Sequence, residues 1–169
     1  MKRIIALLIA LMFIGILAFA ENEPETAEII PALEGVVVEV TEDSAYLIET
    51  EESGPVLVQI DEETIIDASA EIAAGDYIRV DYDGIMSRSI PAQITADLIR
   101  MYSVTGKIIA ADPEVNGVLL ETETHGEVYA YLPEPWLENT AETITVYFDG
   151  AMTMSLPPQI SGLWVAAQE

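Results

Sequence analysis

The chain is predicted to be all-β, built as two tandem five-stranded OB-fold-like barrels after an N-terminal signal helix. Three observations carry this expectation. Short β-branched runs alternate apolar and polar residues between clusters of Gly, Pro, Asp and Ser, the pattern of half-buried strands. The pattern occurs twice: the twelve residues from Asp83 to Ile94 align without gaps on Asp149 to Ile160 at an offset of 66, and seven of the twelve are identical. Upstream, Leu47-Ile48-Glu49-Thr50-Glu51 matches Leu119-Leu120-Glu121-Thr122-Glu123 at an offset of 72. The six-residue difference falls between the third and fourth strands, where a connection can change length cheaply.

In chain order, residues 1–20 form the signal segment. Lys2 and Arg3 precede an apolar run from Ile4 to Ala20 that ends in Ala18-Phe19-Ala20 ahead of Glu21, the layout of a secretory signal with a small-residue cleavage site. The rival is a retained anchor, since 17 apolar residues at about 1.5 Å each approach the thickness of a bilayer. The A-x-A ending favours cleavage, and no cysteine is present to take a lipid. An acidic linker, 21–33, follows, then a first repeat over 34–102 and a second over 103–169. The expected location is secreted or extracytoplasmic, with membrane contact only through an uncleaved signal segment.

Each repeat reads as five strands. Gly35 to Val40 is a β-branched run whose phase is open, because Val36, Val37 and Val38 are all apolar and Lys107 replaces Val36 in the second copy. Ala45 to Thr50 follows a polar turn. In the third strand Val56, Val58 and Ile60 alternate with Leu57 and Gln59, as Val128, Ala130 and Leu132 do with Tyr129 and Tyr131. In the fourth, Ile78, Val80 and Tyr82 alternate with Tyr77, Arg79 and Asp81, as Ile144, Val146 and Phe148 do with Thr143, Thr145 and Tyr147. Between them, Asp67 to Asp76 is predicted as a short helical turn ended by Gly75. Five strands with a small helix before the fourth is the OB-fold order. A β-sandwich made from both copies is the alternative. Leu98 to Thr105 leaves no flexible linker, so a stiff pair is expected.

Gly75-Asp76-Tyr77-Ile78-Arg79-Val80-Asp81-Tyr82-Asp83-Gly84, followed by Ser89-Ile90-Pro91-Ala92-Gln93, resembles the YobA-like domain of unknown function found in secreted proteins and lipoproteins of Gram-positive bacteria. The second copy keeps Phe148-Asp149-Gly150 and Ser155-Leu156-Pro157-Pro158-Gln159 but lacks the Gly-Asp opening. The resemblance covers about a third of each copy. It implies export and a small β domain, and it carries no established activity.

Loss of Lys2 and Arg3 with the signal would leave four basic residues against 30 acids, a net charge of −26. Such a field repels phosphate backbones, so no nucleic-acid partner is expected, and it suits a soluble protein facing cations or a basic partner. The four basic residues, Arg79, Arg88, Arg100 and Lys107, are expected to pair internally with acids. Without cysteine there is no thiol nucleophile and no disulfide; the single His125 falls in a predicted hairpin turn and cannot build a multi-histidine metal centre. Catalytic residues, metal and cofactors are therefore all read as none. Asp81-Tyr82-Asp83-Gly84 resembles part of a calcium loop, but Arg79 stands where its first Asp should be and no Glu follows at the required spacing.

Two sets of candidate residues remain. Repeat-motif loops are formed by Asp83, Gly84, Ser89, Pro91 and Gln93 and by Asp149, Gly150, Ser155, Pro157 and Gln159. The Asp-Gly pairs fit tight hairpin turns, the prolines fix an extended lead into the last strand, and the glutamines can bridge loop backbone groups. The second set is the aromatics peculiar to the second copy: Tyr129, Tyr131 and Tyr147 replace Leu57, Gln59 and Asp81, and Trp136 adds a fourth. Outward aromatics can stack on sugars or a partner chain, although pairing across strands or burial against the first copy is the favoured reading for them. Trp164 aligns with Leu98 and is predicted to be core. The sequence thus points to an exported non-catalytic binding module for a protein, peptide or glycan, with an acidic structural envelope protein and a small hydrolase as alternatives.

Overall fold

The computed structural model describes residues 30–133 and 141–168. The expected signal segment, residues 21–29 of the expected acidic linker and Trp136 lie outside them. The described residues are all-β, as expected, in ten strands: β1 (Ala32–Val40), β2 (Tyr46–Thr50), β3 (Gly54–Gln59), β4 (Ile65–Ala68), β5 (Tyr77–Tyr82), β6 (Ala92–Asp112), β7 (Gly117–Thr122), β8 (Gly126–Tyr131), β9 (Thr143–Phe148) and β10 (Gln159–Gln168). No helix among them is long and apolar enough to cross a membrane.

Pairing in the first half runs from β1 to β2 and from β2 to β3, both antiparallel. From β3 it passes to the start of β6 in parallel, from β6 to β5, and from β5 back to β1. The second half repeats the circuit with the end of β6 in place of β1: β6 to β7, β7 to β8, β8 to β10 in parallel, β10 to β9, and β9 back to β6. A single 21-residue strand, β6, therefore ends one circuit and begins the other.

Inside the circuits the alternating side chains form two hydrophobic clusters. Ile48, Val56, Val58, Ile78, Val80 and Ile99 belong to the first, and Val118, Leu120, Val128, Ile144, Val146 and Ile160 to the second. Each fully buried aliphatic side chain contributes roughly 1.5–3 kcal/mol relative to exposure. With no disulfide available, these clusters are what oppose the loss of chain entropy. The open phase of the first strand is settled: Leu33, Gly35 and Val37 point inward, as do Val104 and Gly106. The glycines are required by the close approach of the paired strand, because a side-chain carbon at Gly106 would meet the Glu121 carbonyl oxygen at 2.8 Å, and one at Gly35 would collide with that of Glu49.

The predicted helical turn over Asp67 to Asp76 is corrected. Ile65–Ala68 instead forms β4, in parallel with Leu98–Met101, and Gly75 and Asp76 close a turn on β1 through Gly75 N–H to the Val37 carbonyl and Val37 N–H to the Asp76 carbonyl, both 2.8 Å. Sheet partners take up the backbone groups that a helix would have used internally. Trp164 is also corrected: it is 39 % exposed rather than core. A register shift between Gly162 and Trp164 turns it outward and places Val165 inside. Leu98 shares that placement, only partly buried beside fully buried Ile99.

The halves pack directly. Tyr147 of the second half, 5 % exposed, sits in the first hydrophobic cluster and donates to Asp76 Oδ1 at 2.7 Å. Trp164 stacks on Tyr77, with ring centroids 5.8 Å apart and planes 9° from parallel.

Candidate functional site

The loop between β5 and β6 and its counterpart between β9 and β10 are built alike. In the first, the Asp83 carboxylate accepts Ile85 N–H at 2.8 Å, and Gly84 has φ +85°, which a side chain would resist. Ser87 and Ser89 hydroxyls lie 2.7 Å apart, Ser89 donates to the Pro91 carbonyl at 2.7 Å, and Gln93 N–H donates to Ser87 Oγ at 2.8 Å. In the second, Ala151 N–H donates to Asp149 at 2.9 Å, Gly150 has φ +90°, and Thr153, Ser155, Pro157 and Gln159 repeat the last three bonds at 2.7, 2.7 and 2.8 Å. The Ile90-Pro91 and Leu156-Pro157 peptides are both cis.

Two expectations about these loops are corrected. Asp83-Gly84 and Asp149-Gly150 do not make tight hairpins. Ala92 to Thr95 pair with β3, not β5, so residues 83–91 must carry the chain across the end of the half. The glutamines bridge the loop through their backbone rather than their side chains: besides the N–H bonds above, the Gln93 and Gln159 carbonyls accept from Ser87 and Thr153 N–H at 2.9 and 3.0 Å. The loop-closing residues Ser87 and Thr153 were not singled out from the sequence, although a hydroxyl kept at aligned positions was the signal for them.

With its polar groups turned inward to close it, each loop presents apolar residues to solvent. Ile90 is 97 % exposed, and Met154 and Leu156 of the second loop are fully exposed.

Beside each loop lies a cleft, and all seven residues that line the first have aligned counterparts in the second, which adds Met152. The first, of about 300 Å³, is lined by Gln59, Asp83, Ile85, Ser87, Gln93, Ile94 and Thr95. The second, of about 400 Å³, is lined by Tyr131, Asp149, Ala151, Met152, Thr153, Gln159, Ile160 and Ser161. The main difference in character is Tyr131 for Gln59. Tyr131 packs edge-on against Tyr129, centroids 5.1 Å apart, and its hydroxyl reaches Gln159 Oε1 at 3.5 Å. Tyr129 lies over Gly117, where any side-chain carbon would collide with the phenol ring. Partial burial, then the nearby Asp112 carboxylate, raises its pKa, so it stays neutral.

Of the predicted aromatic group, the structure thus brings Tyr129 and Tyr131 into ring contact, and Tyr131 lines the cleft. Tyr147 is placed elsewhere, between the halves, where burial and then its bond to Asp76 push its pKa well up. A third cavity, about 210 Å³, adjoins it and includes Arg79 and Arg100. Both guanidiniums are already engaged: Arg79 by Glu34 at 2.8 Å and Asp81 at 3.4 Å, Arg100 by Asp81 at 2.6 Å. The expected internal pairing holds for these two; Arg88 and Lys107 form no ion pair among the described residues.

His125 occupies an exposed hairpin turn with its Nδ1 2.7 Å from the Thr124 hydroxyl. Among the described residues no group of three or more His, Cys, Asp or Glu is gathered to hold a metal ion. No known family model matches the chain, and no curated protein matches it.

Proposed function

We propose that the chain is an exported, non-catalytic binding module that engages an extracellular protein, peptide or glycan through its repeated loops and the clefts beside them. One observation carries this reading: the same hydrogen-bonded loop is built twice, and each time it holds at least one large apolar side chain fully in solvent. Isolated apolar residues on a surface are common, but Met154 and Leu156 stand two residues apart on a hydrogen-bonded loop next to a cleft, and in the first loop Ile90 stands at the position of Leu156 while Arg88 takes that of Met154. Such placement leaves core packing unserved and suits contact with a partner. In the same reading each half closes as an OB-fold-like barrel, supported by the unbroken circuit of strand pairs, and the halves are two YobA-like domains, supported by the residues that carry that resemblance.

The test is capture of envelope and extracellular components by the exported chain, compared with an Ile90→Ser/Met154→Ser/Leu156→Ser variant. The side chains are exposed, so the fold should persist. Enrichment by the wild type that the variant loses is the expected result; equal capture by both would remove the loops from the function.

A further inference from the structure

We propose that the cleft of the second half binds an uncharged, hydroxyl-rich sugar chain, with Tyr131 as the stacking face. The inference rests on the reading that the clefts beside the repeated loops are binding sites, and it names the ligand class of one of them. The chemistry of the lining selects it. Tyr131 is 39 % exposed, so part of its ring is open to the C–H face of a pyranose, while Tyr129 braces it edge-on. Around it stand groups with hydrogen-bonding capacity left over. Asp149 uses one carboxylate oxygen on Ala151 N–H, leaving the other as an acceptor. Gln159 spends its backbone on the loop and only its Oε1 on Tyr131, leaving two amide donors. The Ser161 hydroxyl both donates and accepts.

Sugar hydroxyls also donate and accept, so a mixed set of this kind matches them. An anionic ligand would need a cation, but the only charged lining residue is Asp149, in a chain of net charge −24. A cationic peptide would need more carboxylates than this one. Binding sites of modest size characteristically combine an aromatic surface with a few polar groups that fix orientation.

The first half supplies the control. Its cleft keeps Asp83, Gln93 and Thr95 at the positions of Asp149, Gln159 and Ser161, but Gln59 stands in place of the ring. The same polar set without a stacking face should bind weakly or not at all.

The experiment is titration of the ¹⁵N-labelled exported chain with neutral hexasaccharides of glucose, mannose and N-acetylglucosamine, and separately with a lysine-rich hexapeptide. At least one sugar is expected to shift the amide resonances of Tyr131, Gln159 and Ser161, with no matching shift at Gln59, Gln93 and Thr95. Tyr131→Ser should weaken binding at least tenfold, and Tyr131→Phe, which keeps the ring, should stay within about threefold of wild type. Gln59→Tyr should bring the first cleft's resonances into the response. Dispersed spectra for each variant establish that it is folded. No response to any of the sugars, or a response that Tyr131→Ser leaves intact, overturns the proposal. A response to the peptide alone overturns it while leaving the binding-module reading in place, whereas sugar shifts without loop-dependent capture would overturn the role of the apolar tips and keep the sugar site.

Discussion

The loops after β5 and after β9 share corresponding hydrogen bonds to within about 0.1 Å, while the strands beside them differ in character: Leu57 and Gln59 on β3, Tyr129 and Tyr131 on β8. What is shared closes the circuit, because each loop must move the chain from one side of its half to the other. What differs lies on the outer face, where a substitution leaves packing of the core untouched. Under the proposed reading the hydrogen bonds of the shared loops serve architecture and the aromatic face of the second half serves binding.

The largest expected effect tests whether the two cores are equivalent. Ile78 and Ile144 occupy aligned positions on β5 and β9 and are fully buried in separate clusters. Ile78→Ala and Ile144→Ala should each cost about 2–5 kcal/mol, the usual range for truncating a packed aliphatic side chain. Because β6 belongs to both circuits, either change should lower one shared calorimetric transition. Two separate transitions, with only the mutated half destabilised, would break the equivalence and show the halves to be independent.

Tyr147 sharpens the comparison, since Asp81 holds its place in the first half. Its hydroxyl donates to a carboxylate from a buried ring, so Tyr147→Phe should cost about 1–2 kcal/mol. The same bond predicts an alkaline weakness. Burial and the Asp76 carboxylate raise the folded pKa of Tyr147 above its ordinary value of 10.0, and burial with Glu34 does the same for Tyr77. A raised pKa keeps the proton on the folded form, so this stability is complete below pH 10 and is lost as the pH climbs from there toward the folded pKa. Melting temperatures should fall from pH 10 upward, and Tyr147→Phe should flatten that fall. A slope unchanged in the variant would assign the weakness to Tyr77 or to another group.

Strand alternation made the cores legible before any coordinates: Val56, Val58, Ile78, Val80 and their counterparts all lie inside. The repeat made the loops visible as paired motifs. Contacts between the halves were legible only in part: burial against the first copy is among the favoured readings of the second copy's tyrosines and holds for Tyr147, but alternation reports only which side of a strand faces its own core and does not single that residue out. Asp81 and Tyr147 read as outward for that reason, yet both are buried, Asp81 beneath two guanidiniums and Tyr147 against the other half. Two failures have local causes. A bulge displaces Trp164 by one position in the alternation, and no periodicity announces it. Ala-rich residues 68–74 satisfy helix propensity, but β4 and the Gly75 turn offered sheet partners, and tertiary pairing prevailed. The clefts were hidden in a different way. Their lining comes from β3, the loop and β6 in the first half and from β8, the loop and β10 in the second, which the parallel pairing of β3 with β6 and of β8 with β10 brings together across more than 25 positions.

The smallest effect returns to the shared loops. Ser89 and Ser155 each link a hydroxyl neighbour to a proline carbonyl, so replacing either by alanine removes two short bonds at an exposed site. Solvent can take over both partners there, which limits the cost to about 0.5–1 kcal/mol. The expected signature is equality: Ser89→Ala and Ser155→Ala should shift the denaturant midpoint by the same small amount, since the two loops make the same bonds. Their effects on ligand capture should differ, because only the second loop stands beside an aromatic cleft. Equal loss of capture from both variants would mean that the two clefts act alike and that Tyr131 does not set the second apart.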